Sequence, residues 1–230
     1  MDIIPVLDLR GGIIVRARMG RRDLYRPIDS PLSPTSDPID VMRGLCSIHP
    51  FKTFYAADLD AITGTGDNAA AIRRLKGAFP AATFWVDNGV ADLPSARHWL
   101  DARVGHLVVG SESQNDVALV RHLSGDDRVV LSLDFRDRAF QGPPALLGET
   151  AAWPSRLIVM SLARVGSGAG PDLDRLCMIR DIAEGRKIYA AGGVRDRADL
   201  VALKRAGIAG ALVATSLHDG RLRGSDLEME

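Results

Sequence analysis

Lys187-Ile-Tyr-Ala-Ala191 runs directly into Gly192-Gly193-Val194. After a helical segment at 196–206 comes Gly210-Ala-Leu-Val-Ala214-Thr215-Ser216. Two short apolar runs joined by a helix make a βαβ unit with parallel strands. Both runs end in small residues. Such residues let backbone N–H groups approach an anion, and a helix starting at Thr215-Ser216 would add its dipole. One reading is a phosphate held across two adjacent strand ends by Gly192, Gly193, Thr215 and Ser216. The other is a Gly-Gly pair that only ends a strand. This stretch alone leaves both open.

The same unit recurs outward from it. Further strands are predicted at 3–7, 52–57, 82–86, 106–109, 128–133 and 156–160, each followed by a helical segment. Ile3-Ile-Pro-Val-Leu7 is almost unbroken in its apolarity, as in a strand buried on both faces. Strict alternation of strand and helix implies a parallel sheet. Eight units in 230 residues point to one closed (β/α)8 barrel, a TIM barrel, with an open doubly wound sheet as the alternative. Polar residues and glycines recur at every strand's C-terminal end, which favours the barrel. Residues 13–16 form a hairpin strand after Gly11-Gly12. The aperiodic stretch 17–37 reads as a long loop, either a lid or ligand clamp or a disordered segment. Asp37-Pro38 starts a helix that runs to about residue 49.

The two halves echo each other. Asn88-Gly89-Val90 matches Gly192-Gly193-Val194 at an offset of 104 residues (88 to 192), and Gly110-Ser111 matches Ala214-Thr215 at the same offset. The Leu-Asp pairs at 7–8 and 133–134 lie further apart, and the loop at 17–37 absorbs the surplus. A fixed offset across strand ends is what a duplicated half-barrel leaves. The expectation is a single domain over 1–230 with half-barrels at about 1–124 and 125–230.

Lys plus Arg and Asp plus Glu are both 29, which argues against nucleic acid or an anionic membrane as partner. No apolar run is long enough to span a bilayer, and Met-Asp-Ile-Ile-Pro reads directly as a strand, so a cytoplasmic protein without a signal peptide is expected. Cys46 and Cys177 lie in predicted helices without CxxC spacing and are expected to be reduced core thiols. Oligomeric state is not encoded legibly.

Asp8 and Asp134 close corresponding strands, about opposite each other across the predicted mouth. Positioned there they would act as general base and acid, each worth about 100- to 10,000-fold. A strand-end carboxylate can also simply bind loop amides; Asp58 and Asp60 read as loop or interlayer residues, with Asp58 alternatively pointing into the mouth. The first half offers Gly89, Gly110 and Ser111 as a second phosphate site, weakened by the charge of Asp87. The five histidines have no metal-ligand spacing. No metal and no cofactor are expected, and the partner is a phosphorylated small molecule.

The opening motif Ile3-Ile-Pro-Val-Leu-Asp-Leu9, Gly11-Gly12, Val15-Arg16, Asp58-Leu-Asp60, Leu133-Asp134, Gly192-Gly193-Val194 and the repeat resemble the half-barrel-duplicated enzymes of histidine biosynthesis. These are the ProFAR isomerase and the cyclase subunit of imidazole glycerol phosphate synthase, and the opening motif is closer to the isomerase. The resemblance implies cofactor-free isomerisation of an aminoaldose to an aminoketose, on a phosphoribosyl substrate gripped by a phosphate in each half. Asp8 would be the base and Asp134 the second carboxylate, with Arg16 and Ser161 near the substrate. Three departures stand out. Val165 occupies the place of the isomerases' later acid, Gln141-Gly142-Pro143 replaces a loop that carries a tryptophan, and Asp87-Asn88-Gly89 replaces three glycines. These departures leave two alternatives: a relative acting on another, singly phosphorylated metabolite, of a kind associated with C1-carrier biosynthesis, and a phosphometabolite-binding protein without turnover.

Overall fold

The structure, a computed structural model, describes residues 1–228. Eight parallel strands form its centre: β1 (Asp2–Arg10), β2 (Thr53–Asp58), β3 (Thr83–Asp87), β4 (His106–Gly110), β5 (Val129–Arg136), β6 (Arg156–Ser161), β7 (Lys187–Ala191) and β8 (Gly210–Val213). β8 pairs with β1, Asp2 opposite Gly210 and Pro5 opposite Val213. The sheet therefore closes into a (β/α)8 barrel, and the open-sheet alternative falls away.

Each strand alternates with period two. Ile4, Tyr55, Trp85, Val130, Ile158, Tyr189 and Leu212 point inward and fill the barrel. Trp85 and Tyr189 meet edge to face at 4.8 Å in this interior. The residues between them, such as Leu7, Phe54, Phe84, Leu131 and Leu157, point outward into the layer shared with the helices.

The helices start where the caps predict. Asp37 accepts a hydrogen bond from the Ile39 N–H and Pro38 opens the helix Pro38–Ile48. Asp196 caps Arg197–Arg205 through the Asp199 N–H. Between β5 and β6 lie a two-residue strand, Ala139–Phe140, paired antiparallel with the end of β5, a four-residue helix, Ala145–Gly148, and a 3-10 turn. Two more short helices, Thr215–His218 and Gly224–Leu227, follow β8.

The stretch 17–37 is ordered. It carries a 3-10 turn at Arg22–Leu24 and a two-residue strand, Arg26–Pro27, that pairs with the hairpin strand Ile13–Arg16. It buries Tyr25 and Ile28 among apolar neighbours, and its Met19 N–H donates to the Val165 carbonyl at 2.7 Å. Two apolar anchors in an irregular backbone leave no periodic signal. Leu59–Thr63, read as loop, is a short helix closed by Gly64 in the left-handed region. Cys46 and Cys177 are both free and partly buried; Cys46 packs against the edge of the core, whereas Cys177 does not.

A polar knot ties the loops after β1 and β2 together. Asn68 accepts from the Gly12 N–H at 2.7 Å and donates to Asp58 at 2.7 Å and Asp60 at 2.9 Å. Asp60 in turn accepts from the Gly11 N–H at 2.6 Å. Asp58 and Asp60 are thus structural, as their loop reading has it. Removing the Asn68 side chain takes one hydrogen bond from each of Asp58 and Asp60, although Asp58 keeps the Ala61 and Asn68 backbone N–H groups, and leaves the Gly12 N–H without its acceptor. Asn68→Ala should destabilise the chain by about 2–4 kcal/mol, measured as a lower urea midpoint at unchanged slope.

Candidate active site

The period-two register that fills the barrel also sets its mouth. On β1 the inward series Ile4, Val6 ends in Asp8. On β3 Trp85 is followed inward by Asp87, and on β5 Val130 leads through Ser132 to Asp134. All three carboxylates line one cavity at the C-terminal end of the barrel, together with Glu112, Tyr25 and Tyr55. The cavity and its open mouth hold about 1030 Å³. The strap formed by residues 17–28 crosses it. Gly20, Arg22 and Tyr25 face the interior, and Arg22 forms an ion pair with Glu112 on the far side.

Burial dominates the electrostatics. Asp8 accepts no hydrogen bond among the described residues, and loss of water pushes its carboxyl up to about 7, against the pull of the Arg22 guanidinium. Asp87 is pushed up to about 7 by burial and then by the charge of Asp134. The Gly89 N–H at 3.2 Å and the Tyr55 hydroxyl at 3.3 Å pull the other way. Asp134 rises to about 6 through burial, opposed first by a 2.7 Å hydrogen bond from the Ser132 hydroxyl. Tyr55 sits among the three carboxylates. Burial, then Asp87, Asp134 and Asp8, keep it a neutral phenol.

Ser111 gives Asp134 a further property. Its Oγ accepts from the Asp134 backbone N–H at 2.9 Å and lies 2.7 Å from the Gln141 carbonyl and 3.0 Å from Asp134 Oδ2. One hydroxyl proton cannot serve both oxygens. When it goes to Gln141, a proton on Asp134 Oδ2 completes the set by donating to Ser111. The site therefore accommodates Asp134 as a neutral acid.

Gly192, Gly193 and Thr215 line the side of the cavity across from Asp87 and Asp134. Both glycines have φ near +95°, and a Cβ would come within 2.6 Å of the Ser161 carbonyl oxygen at Gly192 and 2.2 Å of the Gly170 oxygen at Gly193. Only glycine fits there. Ser216 is fully buried behind this wall and its Oγ has no partner. The first-half candidates are placed differently. Gly89 turns against Ile62, Gly110 lies behind the Asp87 carboxylate, and Ser111 is engaged with Asp134, so none of the three lines the cavity. Arg16 does not line this cavity but a small adjoining one that also reaches Asp8 and Thr215, and it is bonded to Asp219 at 2.7 Å and the Asp29 carbonyl at 2.8 Å. Ser161 lines a separate shallow depression. Val165 faces the cavity as read from the sequence, and Gly142 packs on Ser111. His218 is buried with Nδ1 2.9 Å from the Ser30 hydroxyl. No group of three or more His, Cys, Asp or Glu is placed to hold a metal ion among the described residues.

Sequence reasoning treated Asp87 only as a source of repulsion, and it missed Glu112, Tyr25 and Tyr55. The signal for Asp87 was present: it stands two residues after an inward aromatic and closes its strand, as Asp8 and Asp134 close theirs.

A closed (β/α)8 barrel with acid–base groups at its C-terminal mouth is the class that fold and site define. Within that class the chain belongs to the histidine biosynthesis protein family, whose sequence model matches residues 2–223. A protein of Methanocaldococcus jannaschii without an assigned activity is 30% identical over 99% of this chain and 96% of its own length. A Sorangium cellulosum protein is 30% identical over 96% of this chain and 95% of its own. A Myxococcus xanthus protein is 28% identical over 100% and 99%. The last two are named as isomerases of 1-(5-phosphoribosyl)-5-((5-phosphoribosylamino)methylideneamino) imidazole-4-carboxamide, that is, ProFAR. No helix among the described residues is long and apolar enough to cross a membrane.

A carboxyl whose folded pKa is raised from 3.8 to about 7 binds its proton more tightly in the folded state. Its contribution is present below pH 4 and is lost as the pH rises through 7. Asp87→Asn keeps the shape and the Tyr55 contact but removes the charge. It should be more stable than the native chain at pH 8, and the difference should shrink steadily towards pH 4 in thermal melts.

Proposed function

We propose that the chain is a cofactor-free acid–base isomerase that converts a phosphorylated aminoaldose to the aminoketose, as the names of its relatives suggest for a phosphoribosyl-containing substrate. One observation carries this reading: Asp8 and Asp134 open into a single cavity whose other wall is the glycine-lined pair of strand ends at Gly192, Gly193 and Thr215. The phosphate docks on that wall through backbone N–H groups and the Thr215 hydroxyl. Asp134, whose pKa burial raises and which Ser111 can accommodate in neutral form, protonates the ring oxygen as the sugar ring opens to the protonated imine. Asp8, unencumbered by hydrogen bonds, takes the proton from the carbon next to the imine, and that electron pair moves to form the enol and amine. Asp8 returns its proton to the former imine carbon while the enol O–H proton passes to the Asp134 carboxylate, which gives the ketone and restores both residues, so the step is redox-neutral and needs no outside reagent. This assignment replaces the acid that is absent at Val165.

A second reading, a substrate with one phosphate instead of two, is favoured by the far wall. Gly89, Gly110 and Ser111 do not reach the cavity there, and Asp87, Glu112 and Asp134 do. Like charges would repel a second phosphate in so dry a site.

Purified protein should be assayed on ProFAR beside Asp8→Asn. We expect turnover that falls by about 100- to 10,000-fold in the variant. Turnover equal in both proteins, or none in either, removes the ProFAR reading. No turnover directs the search to singly phosphorylated aminoaldoses.

The rate should also be bell-shaped in pH. With Asp8 at about 7 and Asp134 at about 6, one proton resides on the pair mainly between those values and rests mostly on Asp8. The active arrangement, Asp8 ionised and Asp134 protonated, is the minor one, but its population peaks in the same window, so the limbs should fall near those values. A flat profile from pH 5 to 8 would contradict the paired roles.

A further inference from the structure

The two ends of the cavity occupy matched strand ends and have opposite character. β7 closes with Ala191-Gly192-Gly193, and β3 closes with Asp87-Asn88-Gly89 at the offset of 104 residues (87 to 191). The β7 end is neutral and rich in backbone amides. At the β3 end Asp87 is only 7% exposed, faces the cavity, and forms no ion pair among the described residues. Its two hydrogen bonds are long, 3.2 and 3.3 Å, and a carboxylate has lone-pair sites for more. Neither neighbouring cation pairs with it: Arg22 is paired with Glu112, and Arg136, which lines the same cavity beside Gly20 of the strap, forms no ion pair with Asp87. A buried carboxylate that opens on a ligand cavity without a counter-ion is relieved either by a proton or by a cation that the ligand supplies. An anion gives no relief, and the described carboxylates are not grouped to hold a metal ion. The faces of Tyr25 and Tyr55, which line the same cavity, suit a cation as well.

We infer that the β3–β5 end of the cavity binds a cationic nitrogen of the substrate, a primary ammonium or an amidinium. The ligand then spans the mouth with its phosphate on β7–β8 and its cation on Asp87. This rests on the phosphate reading of the Gly192-Gly193 end. It goes beyond that reading in naming the second recognition group. It also explains why one half of the mouth has lost the small residues that the other half keeps.

The test uses the full chain and calorimetric titration with matched pairs: aminopropyl phosphate against propyl phosphate, and aminopentyl phosphate against pentyl phosphate. Inorganic phosphate serves as reference. In at least one pair the amine should tighten binding by about tenfold or more, the scale of a charge-assisted hydrogen bond in a dry site. Asp87→Asn, checked for folding by circular dichroism, should reduce that advantage to about twofold or less while leaving propyl phosphate binding in place. Gly193→Ala should weaken both members of a pair alike. Equal affinity within both pairs, or an advantage that survives Asp87→Asn, overturns the inference and leaves the phosphate site standing. Failure of every phosphate to bind, inorganic phosphate included, removes the phosphate reading itself and the inference with it.

Discussion

The pairing of β8 with β1 is the constraint on which the molecule depends. Asp2 lies opposite Gly210, where a side chain could not fit: a Cβ would come 2.7 Å from the Asp2 carbonyl and 2.6 Å from the Tyr189 ring. That close approach fixes the register of β1. On the other side Val6 pairs with Tyr55 and Leu9 with Asp58. A slip by one residue would exchange the two faces of the strand and turn Asp8 into the apolar layer beneath the helices. Closure, core packing and the position of the proposed base are therefore one geometric fact.

The dryness of the mouth follows from that packing. Apolar inward residues fill the barrel up to the last layer, and the strap covers part of what remains. In such a place three carboxylates cannot all ionise cheaply, and neighbouring ones resist ionising together. The same desolvation that makes the trio costly for stability holds Asp8, Asp87 and Asp134 near neutrality, where proton transfer is useful. Stability and chemistry pull against each other at these three positions, as is usual where a site does work that the fold alone would not require.

The barrel was legible because its signals are local and repeated: apolar runs of strand length, capped helices, polar strand ends. Asp8, Asp134 and the Gly192-Gly193 wall were legible for the same reason, each closing a strand. The order in 17–37 was not, since Tyr25 and Ile28 anchor it through contacts distant in sequence. Tyr55 escaped because a residue's place in a cavity depends on strand register, and strands were assigned without tracking which face each residue took; Glu112 escaped because it lies in the 3-10 turn Ser111–Ser113 after β4, whose course has no periodic signal. Gly89, Gly110 and Ser111 were proposed by analogy with the second half. The structure places them behind or beside the carboxylates, an outcome that the identity of Asp87 could have suggested.

The Met19–Val165 contact bears on how this chain diverged. Val165 grips the strap through its backbone carbonyl alone, while its side chain faces the cavity. The two roles are separable. Valine and aspartate codons can differ by a single base, so a carboxyl could have left this position, or could return to it, without loosening the strap. The exchange is then one base long, and what resists it is the company of carboxylates already in the cavity, not the anchoring of the strap.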